Sequence, residues 1–278
     1  MIGVENIKEQ FAKLVQIMEM LRSENGCPWD REQTYKSLRQ FLLEETYEVL
    51  ELIDEGRYDD LKDELGDLLL QIIFQSQIAS EENRFNIFEV LKKINQKLIR
   101  RHPNVFGDTI IESAEQQIVS WEKMKKKEDS NRSVIEGVPK QLPALLRAFR
   151  LQQKAATVGF DWNDKLSVME KVDEEIGELK QAIMKENINN IEEEFGDLLF
   201  SLVNLSRFLK VNPEDALRLS IDKFSLRFRK MEKMIKKQKK NIDKMTLSEM
   251  DEIWDKVKGE QFEKKNESKS ENKISNIY

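Results

Sequence analysis

Apolar residues recur at helical spacing from the start of the chain. Ile7, Phe11, Leu14, Ile17, Met18 and Leu21 fall on one stripe and predict an amphipathic helix over 4–24. NGCPWD at 25–30 interrupts it. The same periodicity predicts helices over 33–55, 58–80, 87–101 and 113–128, with HPNVFGD at 102–108 as a turn. NRSVIEGVP at 131–139 separates two periodic segments and predicts a linker over 131–142. Further helices are expected over 143–157, 165–186, 188–209, 213–238 and 246–258. From Gly259 the sequence is rich in Lys, Glu, Ser and Asn with little to bury, and a disordered tail over 259–278 is expected.

Composition agrees with helices throughout. Glycine (10) and proline (5) are scarce, 35% of residues are charged, and no long β-branched alternating run occurs. The expected fold class is all-α.

The two halves repeat. Glu45, Glu48, Glu64 and Asp67 recur 130 residues later as Glu175, Glu178, Glu194 and Asp197. Lys97 and Arg101 recur 126 residues later as Lys223 and Arg227, which fits an insertion around SEEN (80–83). WEKMK at 121–125 recurs as WDKVK at 254–258. Three blocks in one order indicate a tandem duplication. The expected domains are 1–130 and 143–258.

Each half therefore carries E-x-x-E on one helix and E-x-x-D on the next. Residues three apart share a helix face, so each pair projects together. About fifteen residues separate the pairs, enough for the second helix to return antiparallel and bring four carboxylates together. Such a cluster repels itself once partly desolvated. A divalent cation relieves this, and all-oxygen ligands suit Mg²⁺ or Mn²⁺. The bland alternative is a solvated acidic face; two copies with matched spacing favour the cluster. Gly66 and Gly196 sit inside the E-x-x-D pairs and each costs ~1 kcal/mol against alanine. Either they let helices approach closely beside the acids or they mark a kink.

Lys223 and Arg227 are an i,i+4 pair that could meet phosphates, or a charged surface face. Trp254 and Lys258 are spaced likewise; Trp254 could stack on a base, or pack in the core. The net charge of −6 argues against extended nucleic-acid binding. One histidine, His102, excludes a ferritin-type site that needs two and fits a structural turn. No phosphate-binding loop of the G-x-x-x-x-G-K-[ST] type occurs. Glu5, Lys8, Glu9 and Lys13 leave no secretory apolar segment near the start, and no run approaches the ~20 residues of a membrane span. With a single cysteine, Cys27, a cytoplasmic location is expected.

EETYEV with DELGDLL, EEIGEL with EEFGDLL, and the GCPWD and RRHPNVFGD segments closely resemble the MazG family of nucleoside triphosphate pyrophosphohydrolases, over nearly the whole chain to about residue 258. The resemblance implies tandem helical bundles of the all-α NTP pyrophosphatase type and a homodimer. It also implies Mg²⁺-dependent cleavage of nucleoside triphosphates between the α- and β-phosphates by an activated water, giving a monophosphate and pyrophosphate. It implies metal ligation by Glu175, Glu178, Glu194 and Asp197, a nucleotide pocket lined by Lys171, Val172, Asp173, Glu174, Asn190, Ile191, Glu192 and Glu193, and phosphate contacts from Lys223 and Arg227. Trp254, Lys258 and Lys125 would complete the site, with Glu174 a candidate base. The second copy is expected to be the main catalytic one. The first retains Glu45, Glu48, Glu64 and Asp67, with Lys97, Arg101, Trp121 and Lys125, and misses no ligand. A helical scaffold that binds nucleotide without turnover, and a hydrolase restricted to non-standard deoxynucleotides, stay open as alternatives.

Overall fold

In the computed structural model, residues 3–128 and 133–259 are described, and every regular element among them is a helix. The chain divides into two compact units, Met1–Glu112 and Ser113–Tyr278.

The first unit is organised on an antiparallel pair, α3 (Leu38–Glu55) and α4 (Leu61–Glu81). The turn between them needs a left-handed residue. Gly56 supplies it at φ 69°, and the Arg57 N–H closes the helix end on the Leu52 carbonyl at 2.9 Å. α1 (Val4–Arg22) lies along α4, and its stripe supplies Met18 to a core with Leu38, Ile73, Phe74 and Ile78. Gly26 then turns the chain so tightly that a Cβ there would sit 2.3 Å from the Leu21 carbonyl oxygen. α2 (Pro28–Glu32) follows, started by proline at its first position. The helix expected over 33–55 is therefore shorter at its start. Residues 33–37 form a turn, in which the Thr34 N–H donates to Ser37 Oγ and the Ser37 N–H to Thr34 Oγ1. α5 (Ile87–Arg101) begins in a capping box between Asn86 and Glu89, and α6 (Pro103–Phe106) is one turn.

Arg22, at the end of α1, ties this unit together. Its guanidinium pairs with Glu81 at 2.7 Å, donates to the Asp30 and Gln33 carbonyls, and lies 5.4 Å from the centre of the Phe74 ring.

The second unit begins with α7 (Ala114–Glu128), followed by α8 (Ala144–Ala156). It is organised on a second antiparallel pair, α9 (Lys165–Met184) and α10 (Ile188–Phe208). Side chains at each start accept the free N–H groups of the first turn: Asp164 from Leu166 and Ser167, and Asn187 from Asn190. α8 crosses α10, and α11 (Pro213–Lys237) packs on α8. A short 3₁₀ turn (Ile242–Lys244) leads to α12 (247–259), which closes on α11 through Met231, Ile235, Ile253 and Val257.

The division at 112/113 lies ahead of the segment where the composition places the linker. α7 belongs to the second unit because Glu122 reaches Lys154 on α8 at 3.0 Å. Lys154 is 6% exposed, a burial that a basic residue tolerates only when paired. The start of the expected linker, residues 131 and 132, and the expected tail beyond Gly259 lie outside the described residues.

Candidate active site

Each antiparallel pair carries one acidic cluster. In the second unit, carboxylate oxygens of Glu175, Glu194 and Asp197 lie within 4.8 Å of one another; in the first, those of Glu45, Glu64 and Asp67 do. The i,i+3 spacing accounts for this, since one turn of each helix faces its partner across the pair. Glu178 and Glu48 stand at the rim of their clusters, close enough that their charges act on Glu194 and Glu64.

The clusters show the expected electrostatic penalty. Loss of solvation, then the charges of Glu178, Asp197 and Glu175, pushes Glu194 above the usual carboxylate range. In the first copy, burial and then the charges of Asp67, Glu48 and Glu64 raise Glu45. Desolvation and a hydrogen bond to Glu48 raise Glu64.

Glu175 is the most enclosed of these acids, at 5% exposed. Its Oε1 accepts from Lys171 Nζ at 2.6 Å, and its Oε2 is buried with no partner in the protein. Lys171 also reaches Glu174 Oε1 at 2.9 Å, so the two carboxylates are held by one ammonium. These bonds raise the proton affinity of Lys171 strongly, keeping it charged. A buried carboxylate oxygen without a donor, on an acid clustered with two further carboxylates, is what a cation ligand requires, and the all-oxygen set suits a hard divalent ion.

The other expected residues divide. Asp173 is exposed in the middle of α9, and Asn190, Glu192 and Glu193 are exposed on the first two turns of α10, where Ile191 is half-buried. Val172 is 5% exposed. Lys223 and Arg227 lie on α11, which packs on α8 and on α12. Trp254 joins the α11/α12 core, its ring 5.4 Å from Phe224 and 6.0 Å from its own Lys258 Nζ. Lys258 pairs with Asp255, and Lys125 pairs with Glu122. In the first copy, Lys97 is exposed on α5 and Arg101 ends that helix. Gly66 and Gly196 have open space where a Cβ would be, with no atom within 4 Å. Close approach of two helices within the unit is thus not their reason, and α4 and α10 run unbroken through them.

One feature lay outside the sequence reading. A cavity of ≈ 830 Å³ opens beside the second cluster, with Lys171, Glu175 and Asp197 in its wall. Phe160 and Trp162 from the turn before α9, Gln152 from α8, and Phe200, Asn204 and Arg207 from α10 line the rest. A signal was present. Asp197, Ser201 and Asn204 are spaced four and three, a polar stripe continuing the acid face along an apolar helix.

Two all-α units, each with a carboxylate cluster across an antiparallel helix pair, define a duplicated helical protein of the all-α pyrophosphatase type. The chain belongs to the MazG family: the MazG nucleotide pyrophosphohydrolase domain matches twice, over residues 33–106 and 163–240. It is 49% identical over 251 residues to the nucleoside triphosphate pyrophosphohydrolase/pyrophosphatase MazG of Thermotoga maritima, covering 90% of this chain and 96% of the relative. It is 42% identical over 262 residues to the nucleoside triphosphate pyrophosphohydrolase of Escherichia coli K12, covering 91% and 99%. It is also 40% identical over 153 residues to the Mycobacterium tuberculosis enzyme of that name, covering 54% and 46%. The chain is thus a hydrolase of the pyrophosphohydrolase kind.

Proposed function

We propose that the chain hydrolyses nucleoside triphosphates, ATP among them, between the α- and β-phosphates with Mg²⁺, and that the second unit is its principal active copy. The observation that carries this reading is the enclosed Glu175, with one oxygen on Lys171 and the other unpartnered, at the wall of a cavity of nucleotide size. Glu175, Glu194 and Asp197, with Glu178 at the rim, would hold the metal; Mn²⁺ has the same oxygen preference. When bound, the ion supplies positive charge to the phosphate oxygens and makes a nearby water more acidic. The carboxylates orient a water in line with the α-phosphorus. Its oxygen bonds to that phosphorus as the bond to the bridging oxygen breaks, and pyrophosphate departs. Glu174, held beside the cluster by Lys171, is the assigned acceptor for the water's proton.

ATP and Mg²⁺ are expected to give AMP and pyrophosphate by phosphorus NMR. ADP and phosphate would refute the reading.

Phe195, Leu199 and Leu202 form an i, i+4, i+7 apolar row on α10 that is 40–53% exposed. A second copy of the chain is the proposed cover. Light scattering is expected to report twice the chain mass of 32.8 kDa; a monomer at micromolar concentration would exclude it. No helix among the described residues is long and apolar enough to cross a membrane, and the proposed setting is the cytoplasm.

A further inference from the structure

We propose that the cavity beside the second carboxylate cluster is the nucleobase pocket, and that Asn204 and Gln152 read the edge of the base. The inference rests on the nucleotide substrate proposed above and assigns it a recognition site.

The orientation of both amides follows from chemistry. Gln152 Nε2 lies 2.9 Å from the Phe200 carbonyl, which can only accept, so the NH₂ group must face it. That leaves Gln152 Oε1, which is buried and has no partner in the protein. Asn204 Oδ1 lies 2.9 Å from Arg207 Nη2 and 3.3 Å from Nε, which can only donate, so the oxygen must face the arginine. Asn204 Nδ2 is then the group left to bond a ligand. Arg207 is itself anchored by Asp161, with Nη1 2.9 Å from Oδ2, so the reader is held rigidly. Gln152 and Asn204 both line the cavity, which would thus offer a base Gln152 Oε1 as acceptor and Asn204 Nδ2 as donor.

Adjacent donor and acceptor groups are what the hydrogen-bonding edge of a base carries. Adenine and cytosine present an exocyclic amino group beside a ring acceptor. Guanine and uracil present a carbonyl beside a ring N–H. The order of the pair is reversed between the two sets, so a fixed donor and acceptor favour one set over the other. Phe160, Trp162 and Phe200 supply apolar ring surface for the flat faces, and Lys171, Glu175 and Asp197 mark the phosphate end.

The first copy supplies an internal contrast. At the position of Asn204, 130 residues earlier, stands Phe74. It is 3% exposed and packed among Met18, Leu38, Ile73 and Ile78, with Arg22 over its ring. Gln71 and Gln77 replace Ser201 and Arg207. The first cluster keeps its acids, while the face that reads the base in the second copy is committed to the core.

Steady-state hydrolysis of ATP, CTP, GTP and UTP, with inhibition by pyrophosphate as a probe lacking a base, tests this. Asn204→Phe, which imitates the first copy, is expected to raise KM at least ten-fold for all four. Asn204→Asp replaces the donor by an acceptor. It is expected to shift the ratio of kcat/KM between the amino and carbonyl bases at least ten-fold. Inhibition by pyrophosphate should stay as in the wild type for both variants. Unchanged KM and ranking would overturn the pocket, and so would a parallel loss of pyrophosphate inhibition, which would mark a structural role for Asn204. Neither result depends on which anhydride breaks. Release of ADP by the wild type would refute the proposed cleavage without touching the pocket.

Discussion

Glu175→Ala is expected to lower the rate of pyrophosphate release by about 10³-fold or more, while Glu45→Ala leaves most of it intact. The magnitude follows from the position of the side chain. Glu175 is the acid both buried and bonded to Lys171, it clusters with Glu194 and Asp197, and one of its oxygens has no donor in the protein. Truncation removes an anchor for the cation and leaves Lys171 with Glu174 alone. It should not unfold the chain, since the carboxylate carries a desolvation cost in the folded state. The asymmetry with Glu45 rests on what adjoins each cluster. The second opens on a cavity; in the first, the corresponding helix face carries Phe74 into the core. Phosphorus NMR of products from both variants checks this, with circular dichroism as the control for folding. Loss of activity in Glu45→Ala, with none in Glu175→Ala, would assign the chemistry to the first copy.

Glu122→Ala is expected to destabilise the second unit by about 3–5 kcal/mol, the range for breaking a buried ion pair by removing one partner. Lys154 is nearly enclosed and is left with only the Val134 carbonyl at 3.3 Å. Lys154→Met should cost less, because the apolar stem is conserved and Glu122 retains Lys125. Urea unfolding of both variants and the double substitution measures the difference. The pair also predicts a pH dependence. Burial raises the proton affinity of Glu122, but its bonds to Lys125 and Lys154 outweigh this and leave it below the usual carboxylate value. Its contribution is therefore complete above the unfolded value of about 4.5 and is lost as the pH falls through the lower folded value. If Glu122→Ala unfolds at the same urea concentration as the wild type, the pair contributes nothing.

The helices and the acidic clusters were legible in the sequence because both depend on local geometry. A 3.6-residue period places apolar stripes, and i,i+3 spacing places two acids on one face. The ends of α9, α10 and α11 follow from Asp164, Asn187 and Asn212, side chains with strong capping preference. The cavity was not legible, because it depends on which residues of α8 meet α10. Gln152 and Asn204 are 52 positions apart and neither is unusual alone. Trp254 has two readings at sequence level; in the fold it is half-buried against Met231, Ile235 and Phe224. In the sequence Lys154 is one basic residue beside Arg147 and Arg150 on α8. Only its partner across the fold shows why α7 belongs to the second unit.

That last contact has a practical consequence. A C-terminal half cut from the chain at the glycine- and proline-bearing segment around 131–142 would discard α7 and with it Glu122, the partner of Lys154. Its aggregation could then be mistaken for dependence on the first copy. A fragment meant to report on the second copy by itself should begin ahead of Ser113.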